Sequence, residues 1–158
     1  MPEAIHADDG DGRVLISSFF LAGSLFGILA SGMREIAKPG RITKVCNAPD
    51  FVCGIRSLRG SLITVIDLAA RLGLRARSLE PGEDSRLLIV EWRSEIIALL
   101  VDGSVDSLIA EKGDLLPQPA GFHGAPGLFL AGVCRDGERL IALLSVDSIL
   151  DVDQDKRL

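Results

Sequence analysis

The sequence predicts a mainly β protein in which one small strand-and-turn module is used twice, and three observations carry that expectation. Two apolar runs, Phe51–Leu58 and Ser61–Ile66, flank Arg59-Gly60, a dipeptide suited to a tight turn because glycine takes a positive φ without steric cost. A short helix follows. Asp67 can accept from the free N–H groups of a first helical turn, Leu68–Leu72 are mostly good helix formers, and Gly73 suits the left-handed position past a helix end. The same order of features then returns in Gly132–Leu150, where Asp136-Gly137 is a hairpin signal and Leu140–Leu144 a second apolar strand. Laying Leu62 on Leu140 puts Asp67 on Ser145 and Leu72 on Leu150, so a helix-capping side chain recurs at one point of both copies.

Taken in chain order, residues 1–12 are acidic and without periodicity and read as a disordered lead-in; Glu3, Asp8, Asp9 and Asp11 are the wrong charge for a signal peptide. Val14–Met33 carries no charge over a length that could span a bilayer, so a small membrane-anchored protein is the competing reading. A hairpin is favoured there, because Ser17, Ser18, Gly23, Ser24, Gly27, Ser31 and Gly32 weaken a helix and Gly23-Ser24 stands where a turn would fall. Lys38–Asn47 is a polar connector with a short strand at Ile42–Val45, and Pro49-Asp50-Phe51 can begin one helical turn capped by Asn47. Arg75–Ser85 is a charged Pro/Gly linker. Arg86–Trp92 and Glu95–Asp102 form a further hairpin around Arg93-Ser94, apolar enough to be buried on both faces. Ser17–Ile36 and Leu87–Leu108 share the order strand, turn, strand and apolar step, which makes the repeat a unit of roughly 75 residues with halves at about 13–74 and 86–151. Lys112–Leu128 reads as the longest irregular loop and residues 152–158 as a charged tail.

Composition narrows the function classes. A chain of 158 residues can bury a core without disulfides or metals, and at 47% hydrophobic but only 4% aromatic that core must be Leu, Ile, Val and Ala. Such a chain can keep apolar surface for a partner. A net charge of −5 disfavours nucleic acid, and the basic run Arg34–Lys44 reads as a solvated loop face. Cys46, Cys53 and Cys134 sit among apolar neighbours and read as buried free thiols of a reducing compartment, without the spacing of a metal site.

No catalytic constellation stands out. Phosphate-loop and GxSxG signatures are missing, His6 and His123 lie in the tail and the Gly/Pro loop, and no cofactor site is expected. Asp67 and Asp102 could be written as a carboxylate pair, but a helix cap and a strand end account for them. Arg59, at a hairpin tip, reads as a solvated turn residue, a partner contact, or one half of an ion pair to the neighbouring module.

Met33-Arg-Glu-Ile36, ITKVCNAPDFVCGIRSLRG (42–60), LITVIDL (62–68), ALLVDGSVDSL (98–108) and the closing LAGVCRDGERLIALLSVDSIL together resemble the CheW-like domain of bacterial chemotaxis coupling proteins. The likeness covers about residues 15–150. It implies a single domain, 13–151, of two SH3-like five-stranded β-barrel subdomains with short helices, strands being possible to share between them. It also implies a non-enzymatic, cytoplasmic adaptor recruited to receptor arrays. Its partners would be the regulatory domain of a chemotaxis (CheA-type) histidine kinase and the cytoplasmic tip of a methyl-accepting chemoreceptor, with no nucleic acid and no membrane insertion. Carried over motif by motif, Met33, Glu35 and Ile36 would lie by the groove between the barrels, Gly54 and Arg59 at sensitive positions, and Leu88 and Ala98 on the corresponding second-barrel strands. Thr64, Ser57 and Ala98 depart from the usual Pro, Asn and Gly, and the Ala98 methyl falls where backbones can approach closely. With no kinase, receiver or phosphotransfer segment in the sequence, a stand-alone coupler is expected rather than a kinase fragment.

Overall fold

The computed structural model describes residues 12–118 and 128–151. Among them the first half supplies β1 (Arg13–Leu21), β2 (Ser24–Leu29), β3 (Met33–Ala37), β4 (Val52–Leu58), β5 (Ser61–Asp67) and α1 (Leu68–Arg71). The second half supplies β6 (Arg86–Trp92), β7 (Glu95–Val101), β8 (Gly103–Glu111), β9 (Leu115–Leu116), β10 (Leu130–Asp136), β11 (Arg139–Leu144) and α2 (Val146–Leu150). Single 3-10 turns lie at Ala30–Gly32 and Lys112–Asp114.

The strands form a six-stranded sheet, β8-β1-β2-β11-β10-β9, and a five-stranded sheet, β3-β6-β7-β5-β4. Each sheet therefore contains a hairpin from the other half of the sequence, β1–β2 in one and β6–β7 in the other. The chain divides into two compact units accordingly. One holds Leu25–Ser31 with the residues up to Phe19 and those from Asp106 on; the other holds Phe20–Ser24 and Gly32–Val105.

The repeat read in the sequence is reproduced bond for bond. In one copy β4 and β5 pair antiparallel with a bulge between Val52 and Gly54, and the Asp67 N–H donates to the Phe51 carbonyl at 2.7 Å. In the other, β10 and β11 pair with a bulge between Leu130 and Gly132, and the Ser145 N–H donates to the Phe129 carbonyl at 2.8 Å. Both second strands run parallel to an exchanged hairpin in one register, Thr64 opposite Ile97 and Ala142 opposite Phe26. The caps match too. Asp67 accepts from the Ala70 N–H and Ser145 from the Ser148 N–H, each at 3.2 Å. Beyond α1, Gly73 (φ +79) and Leu74 send their N–H groups to the Ala70 and Ala69 carbonyls, the paired bonds of a Schellman ending.

Each unit has its own core. In the unit of the five-stranded sheet, Cys53, Ile63, Val65, Leu87, Ile89, Ala98 and Leu100 pack together, with Ala37 of β3 and Leu58 of β4 against them. Those two strands are the opposite edges of the sheet, so it curls until both edges share one core, as a small barrel does. In the other unit Val14, Ile16, Ala110, Cys134, Ile141 and Leu143 are joined by Leu115 of β9 and Leu108 of β8, again from the two edges.

Val14–Met33 takes the favoured hairpin, followed by a 3-10 turn and the first residue of β3, and no helix among the described residues is long and apolar enough to cross a membrane, which leaves the membrane-anchored alternative without support. Several finer expectations need correction. The turn that breaks the segment is Ala22-Gly23, with φ of +49 and +83, one residue earlier than Gly23-Ser24. The second hairpin likewise turns at Gly137-Glu138, because Asp136 still pairs with Arg139. The strand expected over Ile42–Val45 shrinks to one bridge, Thr43 to Ile55, since β4 is the sheet edge and nothing else extends that pairing. The single turn expected from Pro49 does form, the Val52 N–H donating to the Pro49 carbonyl at 2.9 Å. Lys112–Leu128 is not wholly irregular: its start holds a 3-10 turn and β9. Residues 119–127 of that loop, the lead-in 1–11 and the tail 152–158 lie outside the described residues.

A candidate contact surface

Met33, Glu35, Ile36, Gly54 and Arg59 all belong to the unit of the five-stranded sheet. β3 runs against β6, with Glu35 opposite Ile89 and Ile36 opposite Leu88. At the far edge, Arg59 (φ +49) and Gly60 (φ +83) make the turn between β4 and β5, flanked by the pair Leu58–Ser61. Two positive φ values in a two-residue loop match the twist of the strands it joins. The curl of the sheet then brings that tip to β3. The Arg59 guanidinium grips the Glu35 carboxylate with both arms: Nη1 donates to Oε2, and Nη2 to Oε1 at 3.2 Å.

The Arg59 side chain remains 74% exposed while Glu35 is 27% exposed, so the pair presents a guanidinium outward from a half-sunken anchor. Its hydrogen bond to Glu35 raises the Arg59 pKa further, and the arginine stays charged. Arg59 is an exposed turn residue, the first of its readings, and its ion pair is made within its own unit rather than to the neighbouring module. On the same strand Ile36 is exposed, Met33 half-buried, and Arg34 pairs with Glu91.

Gly54 is a backbone requirement. It is buried with φ +146, and a Cβ built there would lie 2.0 Å from the Thr43 carbonyl oxygen. Thr43 and Ile55 exchange both backbone bonds at 2.8 Å across that spot. Leu88 and Ala98 are each 0% exposed. Ala98 lies in the core cluster, where its methyl packs with Val65 and Ile89, and Leu88 is on β6 between Leu87 and Ile89. Neither presents a side chain to solvent, so both bear on the surface only through the strands they hold.

Asp67 and Asp102 are joined by an arginine that the sequence gave no reason to single out. Arg75 reaches Asp67 Oδ2 at 3.3 Å and Asp102 Oδ2 at 2.6 Å. Asp67, 1% exposed, also accepts from the N–H groups of Ala70 and Leu79, while Asp102 accepts from the Ala22 N–H at 2.7 Å. Both carboxylates tie segments together, and the charged linker after Arg75 is pinned to the sheet by them.

Cys53 and Cys134 are buried as expected, but Cys46 is exposed, carried outward by the turn at Cys46-Asn47. Burial, with Asp67 nearby, pushes the Cys53 thiol up to about 12, and burial raises Cys134. Neither is an activated nucleophile. Among the described residues no three His, Cys, Asp or Glu side chains gather as a metal site.

One further surface went unnoticed in the sequence. Arg41, Thr43, Ile55, Arg56, Ser57 and Leu62 line a shallow groove of about 430 Å³ in this same unit. Leu62 is 75% exposed, and Leu140, its repeat partner, is 61% exposed. Strand alternation turns both outward, a signal visible only once the register is known.

Comparison with known proteins agrees with this architecture. The CheW-like domain family model matches residues 16–154. A chemotaxis protein CheW of Rhizobium meliloti is 30% identical over 96% of this chain and 95% of its own. One of Helicobacter pylori is 26% identical over 92% of this chain and 87% of its own. The crystal structure of a scaffolding protein CheW from Thermoanaerobacter tengcongensis superposes with a TM-score of 0.79 at 29% identity, covering 89% of this chain and 94% of that one. The family match spans most of the folded chain, and the chain belongs to the CheW-like domain family.

Proposed function

We propose that this chain couples a chemoreceptor's cytoplasmic tip to a chemotaxis-type histidine kinase, as a non-enzymatic scaffold recruited to receptor arrays from the cytoplasmic side. Membership in the family carries the coarse part, a chemotaxis scaffold with no chemistry of its own. The single observation that supports the finer part is the Arg59–Glu35 pair: a charged, outward guanidinium fixed bidentately on a rigid hairpin tip. Arginine is enriched at interface hot spots, and one already held in place loses less freedom on binding. Gly54 serves this reading from behind, by allowing the Thr43 segment to close on β4. Leu88 and Ala98 serve it as core supports of the strands that carry β3 and β5.

A scaffold of this kind needs contacts of moderate size, on the order of 1,000 Å² or somewhat more each, because many linked contacts add avidity that no single one requires. The test is Arg59→Ala. At a solvated turn it should leave the melting curve unchanged, yet weaken capture of receptor tip or kinase by at least about threefold in a pull-down with purified host partners. Undiminished capture by a folded Arg59→Ala protein would remove this surface from the function.

A further inference from the structure

We propose that the Arg75–Ser85 linker is a hinge with two closures. Folded back, it joins the two halves of one chain; opened out, it lets each half pair with the complementary half of a second copy, giving a dimer with exchanged halves.

The sheet order carries the second closure. Residues 13–74 hold β1–β5 with α1, residues 86–151 hold β6–β11 with α2, and neither half contains a whole sheet. β8 on β1, β11 on β2, β6 on β3 and β7 on β5 all pair one half with the other. The cores are composite too, Ile63 and Val65 packing with Leu87 and Ile89 in one, Val14 and Ile16 with Ile141 and Leu143 in the other. A half without its complement leaves four strand edges unpaired. A second copy satisfies them with the same residues in the same registers, Met33 on Val90 and Thr64 on Ile97 among them, because its half is chemically identical.

The linker alone therefore decides between one chain and two. Up to Leu79 it is tied to the first half, the Ser78 N–H donating to the Asp50 carbonyl at 2.9 Å and the Leu79 N–H to Asp67 Oδ2 at 3.2 Å. Beyond it, Asp84 lies against Gly103 of the second half. What turns the chain back between these anchors is Gly82–Ser85, where the Ser85 N–H donates to the Gly82 carbonyl at 3.2 Å and the Gly82 N–H to Ser85 Oγ at 2.9 Å. Before that turn Pro81 biases Glu80 toward extended backbone, and the Lys44–Glu80 pair is too exposed to hold the segment down. Opening the hinge gives up the bonds of one surface turn, while every strand pair is remade.

Concentration sets the outcome during folding. Through so short a linker a chain meets its own half at an effective concentration in the millimolar range, so dilute chains close on themselves and crowded ones exchange. Afterwards the choice is locked, because separating the halves breaks both sheets. An exchanged dimer carries every surface twice, the Arg59–Glu35 tip included, and a scaffold with one such tip becomes bivalent. The exchange itself does not depend on what that tip binds.

Refolding the full chain from urea tests this. Light scattering should find monomer after refolding at about 10 µM, and a substantial dimer fraction after refolding at about 1 mM. That dimer should survive dilution for hours and disappear only when it is unfolded and refolded dilute. A disulfide across the halves separates exchange from surface association. Met33 and Val90 face each other on β3 and β6, so Met33→Cys and Val90→Cys chains, both with Cys46→Ser, are refolded together at high concentration and oxidised. Exchange places the two new thiols of different chains in one sheet, and a reducible cross-linked heterodimer is expected. Thr64→Cys with Ile97→Cys, at a second cross-half pair, replaces this pair if thermal melts show either chain misfolded. Monomer at both concentrations, a dimer that dissociates on dilution, or a dimer of folded chains that forms no cross-link would each overturn the proposal.

Discussion

Gly54→Ala is the most demanding perturbation of the frame, because two separable costs meet at one atom. The Cβ would lie 2.0 Å from the Thr43 carbonyl oxygen and 2.7 Å from its carbon, and backbone on that side cannot swing away like a side-chain tip. Relief requires Thr43 to retreat by about 1 Å or more, since a carbon–oxygen contact settles near the sum of van der Waals radii. That retreat breaks two 2.8 Å bonds between Thr43 and Ile55, worth about 1 kcal/mol each in net terms. The φ of +146 adds about 1–3 kcal/mol for a residue with a side chain. The sum is about 3–5 kcal/mol, a large share of the roughly 5–15 kcal/mol that holds a domain folded. Gly60→Ala is the matched control: φ is +83 but nothing lies within 4 Å of the added methyl, so only the conformational cost remains, about 1–2 kcal/mol. Urea titration of both variants measures the difference, and hydrogen exchange at the Thr43 and Ile55 amides locates it. If Gly54→Ala cost no more than Gly60→Ala, or left those two amides protected, the close approach would not be what demands glycine.

The other expectations are simpler to check. Asp67→Ala should cost about 3–5 kcal/mol by urea titration, since it leaves the mostly buried Arg75 guanidinium without half of its pairing and removes the acceptor of the Ala70 and Leu79 N–H groups. Ser145→Ala, which removes only the equivalent cap, should cost about 1 kcal/mol. Ser94→Gly should raise the melting temperature by a few degrees, about 0.5–1 kcal/mol, because Arg93 (φ +50) and Ser94 (φ +66) fill a turn that favours glycine. A thiol reagent at pH 8 should modify Cys46 rapidly, and Cys53 and Cys134 only after denaturant is added. The folded chain keeps the Cys53 proton up to about 12, whereas an unperturbed thiol loses it near 9.0. This contribution to stability is therefore whole below about pH 9 and declines as pH climbs toward 12, a slope that Cys53→Ala should reduce.

Turn chemistry was legible where it is strictly local. Arg59-Gly60 and Arg93-Ser94 turn where the sequence says, and Ala22-Gly23 and Gly137-Glu138 differ by one residue because the partner strand, not the turn dipeptide, decides the last pair. The uncharged run Val14–Met33 matched a bilayer span in length, yet its Gly and Ser content already favoured a hairpin, and that is the structure it takes. Cys46 shows the limit of reading neighbours: Val45 and Cys46 look apolar in sequence, but both are exposed once the chain leaves its single bridge at Thr43. Of the contact surface, Glu35 and Arg59 could be named from the family motif, and Arg75, Arg41 and Leu62 could not. Nothing in the spacing of Arg75 from Asp67 and Asp102 predicts that one guanidinium spans both carboxylates.

By itself the sequence determined most of the hairpin strands (though not β9 or the single bridge at Thr43), where two helices are capped, and that one module occurs twice, because hydrophobic alternation, capping side chains and turn residues act over a few bonds of chain. Tertiary structure alone decided that β1–β2 and β6–β7 change places between the halves, that Arg59 meets Glu35, and that Gly54 must be glycine. Those outcomes depend on which edges meet when a twisted sheet curls onto its core. Contacts between residues tens of positions apart leave no periodicity from which they could be read.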